Sequence, residues 1–328
     1  MAHPETEQEA PQPQPELTEP RLRDPGLRQL SKRDWVAILK RAAREALDDN
    51  ITDAAAALAY YAFLALPATL LLVLGLFGLF ADPADVASLM DRFATVAPEE
   101  AVDLLQGSLD RLVQNEGSSI ALLSIGAVLA LWTATSAMTA LMRALNRAYG
   151  REETRSFIRQ RLTALAMLAL SFVAFSLVFG LLVLGPHLSK WIGDLVGLES
   201  TFGWIWWAAQ WPILILGLLA VFAGMLALGP NVDHPRWRFL TPGAVIAVVL
   251  WLAASGLFSV YVSMFDSYNK TWGSLAAVVI MLTWLWLTGV ILLFGAEVNA
   301  EAERSRELRS GQPAQVDLQA PPKAPAKD

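Results

Sequence analysis

The residues with the most reactive side chains are few and far apart. The chain has three histidines, His3, His187 and His234, and no cysteine. They fall in separate segments, so no spacing of the kind that holds zinc or a redox thiol pair is present. No GxxxxGK[ST] loop and no glycine-rich fingerprint after a strand offers a cradle for nucleotide phosphates. The residue inventory therefore assigns no catalytic, cofactor-binding or metal-binding residue, and the chain is not expected to be an enzyme. The remaining polar candidates are placed differently. Asp53 and Glu297 stand at the ends of long apolar runs, and Gln210 is the main strongly polar side chain inside one. Six arginines, Arg143, Arg147, Arg151, Arg155, Arg159 and Arg161, crowd one segment whose acids are Glu152 and Glu153. Two roles suit such a loop: binding anionic lipid headgroups, or fixing the orientation of the chain in a membrane.

The elements that must carry these residues are apolar helices. Hydrophobic residues make up 55% of the chain, above the roughly 45–50% of ordinary soluble domains. The excess lies in six runs without charge, 54–81, 117–142, 162–189, 200–232, 239–265 and 271–296, the shortest of 26 residues. At about 1.5 Å per residue, roughly 20 apolar residues cross the hydrocarbon layer, so each run is long enough. Ten-residue segments of alternating polarity, the mark of a membrane β-barrel, do not occur. Helices satisfy their own backbone groups without water, so the expected fold is all-α, a polytopic membrane helix bundle. Its six spans are expected at about 54–81, 118–142, 162–186, 203–229, 241–265 and 272–296. No Asp, Glu, Lys or Arg is central in any run, which argues against an ion relay.

Orientation follows from the basic residues outside the spans. The N-terminal segment, the 143–161 loop, the 230–240 loop and the C-terminal tail together hold 21 of the 25 lysines and arginines. Arg92, Arg111, Lys190 and Lys270 lie on the other side. The positive-inside rule then places both termini in the cytoplasm. Without a basic start followed by an apolar stretch, no cleaved signal peptide is expected.

Flanking segments divide by composition. Residues 1–30 and 306–328 are rich in Pro, Glu, Gln and Ala and are expected as disordered tails. Between them, 31–50 shows Trp35, Ile38, Leu39, Ala42 and Ala46 at helical spacing, a Ser31/Asp34 capping box and a basic face of Lys40, Arg41 and Arg44. It reads as an amphipathic interfacial helix or, equally, as a helix packed against the protein's own cytoplasmic loops, preceding a membrane domain over 51–305. In the outer loop, Val86, Leu89, Phe93 and Val96, then Val102, Leu105, Leu109 and Leu112, imply two short amphipathic helices. Gly126, Ala130 and Ala134 form a ridge of small residues suited to close helix packing, and Pro67 predicts a kink in the first span.

Four stretches together resemble a known family: ALAYYAFLALPATLLLVLGLFGLFADP at 57–83, LWTATSAMTALMRALNRAYGREETRSFIRQRLTAL at 131–165, HPRWRFLTPGA at 234–244, and YNKTWGSLAAVVIMLTWLWLTGVILLFGAEVNAE at 268–301. They look like the YihY/BrkB family of bacterial inner-membrane proteins, sometimes labelled ribonuclease BN, over about 35–305. The resemblance implies six spans and marks Tyr60, Tyr61, Pro67, Arg143, Asn146, Tyr149, Arg155, Gly243, Tyr268, Gly273, Glu297 and Asn299 as motif residues. LALGPNVD and Trp272 depart from the family pattern. Names in the family imply a ribonuclease or a serum-resistance factor, and movement of lipids or envelope material has been proposed for some members. The expected function is an exporter or flippase of a lipid-like or amphipathic substrate, with a non-transporting envelope scaffold or assembly factor as the alternative. RNA cleavage is disfavoured, since no water-exposed catalytic or metal centre is available. Membrane lipids, with anionic headgroups at the 143–161 loop, and further copies of the chain are the expected partners; nucleic acid is not.

Overall fold

The computed structural model describes residues 31–80, 116–174, 199–232, 241–264 and 274–311, with 176, 314 and 323 besides. Every regular element among them is an α-helix: α1 (Lys32–Asp48), α2 (Ile51–Phe80), α3 (Glu116–Ala148), α4 (Phe157–Ala174), α5 (Glu199–Leu228), α6 (Pro242–Met264) and α7 (Ser274–Ser310). Five of them, α3 to α7, are long and apolar enough to cross a membrane. The apolar stretch Ile51–Ala65 opens α2, which continues as helix to Phe80. The chain is thus a multi-pass membrane helix bundle. The outer-loop amphipathic helices, residues 1–30, the side chains of Pro67 and Gly126, and Tyr268 and Gly273 lie outside the described residues.

Helix ends are set by local chemistry. Ser31 and Asp34 form the expected capping box, Ser31 N donating to Asp34 at 2.7 Å and Asp34 N to Ser31 Oγ at 3.3 Å. α1 passes into α2 through Asn50, whose φ of 51° lies in the left-handed region that Asn tolerates. α3 stops at Gly150, φ 58°, where the Asn146 carbonyl accepts from Arg151 N at 2.9 Å. Thr241 caps α6 by accepting from Ala244 N at 3.2 Å, and Pro242 occupies the first turn, where its missing N–H costs nothing.

The core gathers at one end of the bundle. Ile51 and Ala55 of α2, Met142 and Leu145 of α3, Met167 of α4, Leu226 of α5, Ala247 of α6 and Leu293 of α7 are buried together. This is the end that carries the arginine-rich loop, and it is called the basic end below. Ala130 and Ala134 of the small-residue ridge are buried in α3, which packs along α2. α7 is the hub, touching α1, α2, α3, α5 and α6. Most of its residues from 289 to 309 are buried, whereas none from 275 to 288 is.

With 37 residues, α7 is roughly 55 Å long and exceeds the hydrocarbon layer. Its charge-free part ends at Ala296, and the remainder projects beyond the span at the basic end. α1 docks on this projection in antiparallel register. Ile38 and Ala42 pack with Val298 and Ala302. Arg309 bonds Asp34 at 2.6 Å, Arg41 bonds Ser305 at 2.6 Å and Glu301 at 2.5 Å, and Arg304 reaches Glu45 at 3.4 Å. A helix running alongside an extended spanning helix does not lie flat in a leaflet. Of the two readings of 31–50, packing on the protein itself fits this docking: Ile38, Ala42 and Ala46 are covered by protein, while Leu39 is exposed. The tail boundary at 306 also shifts, since α7 continues to Ser310. Residues that composition assigns to a polar tail are held as helix by Arg306–Glu303 and Arg309–Asp34 ion pairs.

Candidate functional site

Most of the described motif residues converge at the basic end, where they join helix termini. The Asn146 side chain, 2% exposed near the end of α3, accepts from Asn231 N at 2.6 Å and donates to Glu153 at 3.0 Å. Glu153 in turn accepts from Arg155 Nε at 2.7 Å and Nη2 at 2.8 Å. The same guanidinium donates to the last carbonyls of the α5 end, Leu228 at 3.3 Å and Gly229 at 2.7 Å. Those carbonyls have no partner within their own helix, and a cation suits the negative end of its dipole. Asn231, inside the divergent LALGPNVD stretch, closes the loop by donating to Thr154 Oγ1 at 2.7 Å. Arg155 is 6% exposed and committed to these contacts. It therefore fastens the 149–156 loop to α5.

A second knot joins α6 to α7. Asn299, buried on α7, accepts from Gly243 N at 2.8 Å and donates to Thr241 Oγ1 at 3.0 Å. One side chain thus satisfies a free amide of the first turn of α6 and steadies its cap. The approach is possible only because Gly243 and Gly295 meet without side chains: a Cβ on Gly243 would stand 1.9 Å from the Gly295 carbonyl oxygen. Tyr149, 3% exposed, has Asn299 as a polar neighbour of its phenol and so links the two knots. Glu297, 2% exposed one turn from the span end, has no hydrogen bond on Oε1; Asp49, Glu45, Glu301 and Arg304 are the charges around it.

The other motif residues lie apart. Arg143 is exposed on α3, and Tyr60 and Tyr61 are exposed on α2, their rings in an edge contact at 6.1 Å between centroids. Among the described residues these three are not brought to the knots.

One polar group was hidden from the sequence. Because a charge-free run ends at its first charge by construction, Arg161 counts as a loop residue, yet α4 starts at Phe157 and Arg161 lies inside its candidate span. Its guanidinium sits 4.3 Å from the Trp132 ring centroid and 5.4 Å from that of Phe157. Nη1 donates to Thr135 Oγ1 and Ser136 Oγ, both at 3.2 Å. Ser136 is twelve residues, roughly 18 Å along the helix, from the end of α3 at Ala148. A cation in a span costs about 2.5–3.5 kcal/mol on insertion scales. The aromatic contacts, at about 0.5–2 kcal/mol each, and the hydroxyls offset much of it. The only sequence signal was a tryptophan and two hydroxyl residues on one side of α3.

Two ion pairs outside the spans predict the acid response. Burial by itself would raise the Glu153 and Asp34 carboxyls, but hydrogen bonds from Arg155 and Asn146 to the one, and from Arg309 and Ser31 to the other, leave both below the usual carboxylate range. A depressed carboxyl stabilises the fold above its unfolded value, about 4, and that contribution is lost as pH falls through the folded value. The melting temperature in detergent is expected to be flat from neutral pH to about 5 and to fall below about 4. Asp34→Asn should melt lower at pH 7 and show a shallower acid decline; a decline as steep as the parent's would exclude the Asp34–Arg309 pair as a contributor.

The family model described as Virulence factor BrkB matches residues 42–319. A ribonuclease-like protein, YfkH, of Bacillus subtilis (strain 168) is 35% identical over 70% of this chain and 81% of its own length. UPF0761 membrane proteins of Photobacterium profundum (27% identical, 85% of each chain) and Citrobacter koseri (28%, 66% of this chain and 70% of the relative) are also similar. No solved structure matches.

Proposed function

The chain belongs to the Virulence factor BrkB family, and from that premise we propose that it is a transporter of the bacterial inner membrane, moving a lipid-like or amphipathic envelope substrate. The observation that carries this reading is the asymmetry of α7. In a fully packed bundle the hub helix is buried along its whole length. Here it is closed from Gly289 onward and has no buried residue between 275 and 288. At the transition, Trp251 of α6 donates to Thr288 at 3.0 Å and stacks edge-on with Trp284 at 5.5 Å, an aromatic floor beneath the open part. A bundle sealed at one end and open at the other, with apolar walls, suits an amphipathic substrate better than an ion.

Orientation belongs to the proposal. The sealed end carries the arginine-rich loop and both α1 and the end of α7, so the positive-inside rule puts it, with both termini, in the cytoplasm. The ribonuclease part of the Bacillus subtilis relative's name is not carried over. The side chains of Arg155 and Asn299 at the basic end are engaged in tying helix ends together.

The test is reconstitution into vesicles with fluorescent phospholipids and labelled envelope precursors on one leaflet. Protein-dependent movement of at least one of them is expected. If none moves faster than in protein-free vesicles, the transport reading fails and a non-transporting envelope scaffold takes its place.

A further inference from the structure

The Arg161 group is built as a receptor for an oxyanion. Thr135 gives its hydroxyl proton to the Leu131 carbonyl at 2.6 Å and Ser136 gives its own to the Trp132 carbonyl at 2.6 Å. Both oxygens are thereby turned to accept, and they anchor Nη1 of Arg161. The Trp132 and Phe157 rings lie against the same guanidinium, their centroids 4.3 and 5.4 Å from its central carbon. What remains is the opposite edge: Nε is buried without an acceptor, and among the described residues Nη2 has none either. No carboxylate pairs with Arg161 among the described residues, unlike Arg41, Arg155, Arg304, Arg306 and Arg309, each of which has one. The Nε/Nη2 edge of a guanidinium is the side that takes phosphate through two parallel hydrogen bonds.

The surroundings name the source of that phosphate. Trp132 is 57% exposed and Phe157 63%, and Ile158 and Leu162 beside them are exposed as well, all within candidate spans. Apolar side chains exposed on a span face acyl chains, so the anion arrives laterally from the bilayer. We propose that Arg161, held between Trp132 and Phe157 and anchored on Thr135 and Ser136, binds the phosphate of an anionic membrane lipid on the flank of α3 and α4. This inference rests on the helices spanning a membrane and not on transport. A chain that holds the headgroup and moves nothing refutes only the transport reading.

The experiment is native mass spectrometry of the full chain released from bilayers of phosphatidylglycerol and phosphatidylcholine in equal amounts. The parent is expected to retain one phosphatidylglycerol per chain in preference to phosphatidylcholine, and Arg161→Gln to lose that preference by about tenfold. Arg161→Lys keeps the charge but not the fork and should fall between them. Trp132→Leu, which leaves the cation in place, should weaken retention and serves if Arg161→Gln fails to fold. Arg159→Gln, the same charge change two residues away at an exposed position, should retain the lipid as the parent does. Equal retention of both lipids by the parent, or an equal loss in Arg159→Gln, overturns the site. Soluble glycerol phosphate is added in a parallel arm. Failure to displace the lipid is expected, and binding of the soluble ester without retention of phosphatidylglycerol would overturn the lipid as ligand.

Discussion

Gly243→Ala is expected to lower the melting temperature in detergent by about 10 °C or more and to loosen α6 from α7. An added Cβ would stand 1.9 Å from the Gly295 carbonyl oxygen and 2.7 Å from Cγ and Oδ1 of Asn299. A side chain can rotate out of such a clash, but a backbone carbonyl moves only with its helix. The two helices must separate, and in separating they break the Gly243–Asn299 and Asn299–Thr241 bonds. Overpacking costs about 1–3 kcal/mol, and each lost hydrogen bond adds about 1 kcal/mol, so about 3–5 kcal/mol in total is expected. Close approach of small residues carries this weight because, between helices in lipid, packing and hydrogen bonds must do what the hydrophobic effect does in water. Gly256 lies in the same helix, and a Cβ added there would meet nothing within 4 Å. Gly256→Ala should be neutral or slightly stabilising, since alanine is the better helix former by about 1 kcal/mol. Equal losses at both positions would defeat the packing account.

Arg155→Leu is expected to cost about 3–5 kcal/mol, the range for removing one partner of a buried ion pair. The variant strands Glu153, whose side chain is 16% exposed, with its Asn146 bond as the remaining side-chain contact. It also leaves the Leu228 and Gly229 carbonyls at the end of α5 without their cation. Limited proteolysis should open the 149–156 loop together with 229–232, because the two are fastened to each other. Adding Glu153→Leu should recover part of the loss, as the buried charge is then gone. Arg143→Gln, at an exposed position near the end of α3, should change stability by no more than about 0.5 kcal/mol. If Arg155 acted on lipid headgroups, its effect would grow in anionic bilayers. A staple to α5 predicts the same loss in detergent without lipid.

Together these positions give the motif residues a common physical role. Asn146, Arg155, Gly243 and Asn299 close one end of the bundle by satisfying the free amides and carbonyls of three helix termini. The side chains of Arg155 and Asn299 are engaged in these contacts and hold the ends of α5 and α6 in place.

Much of the architecture is legible in the residues. The apolar runs locate the helices to within a few residues at most ends, and Ser31 and Asp34 announce the start of α1 correctly. Asn146, Tyr149, Gly243 and Asn299 are marked by resemblance alone, because nothing in the local pattern says what an asparagine near a helix end will bond, whereas Arg155 and Glu297 also stand out by charge. Arg161 reads as a loop charge, and the fold places it inside α4.

The physical reason divides the two kinds of knowledge. Whether a segment can cross a membrane depends on its own length and apolar content, so the sequence by itself determined the all-helical class and the multi-pass membrane character. Which polar groups meet depends on pairs far apart in the chain. Arg155 reaches Gly229 across 74 residues, Gly243 reaches Asn299 across 56, and Arg309 reaches Asp34 across 275. Only the tertiary structure decided that these residues seal one end, that α1 stands along α7, and that one arginine inside a span was left with an edge to offer.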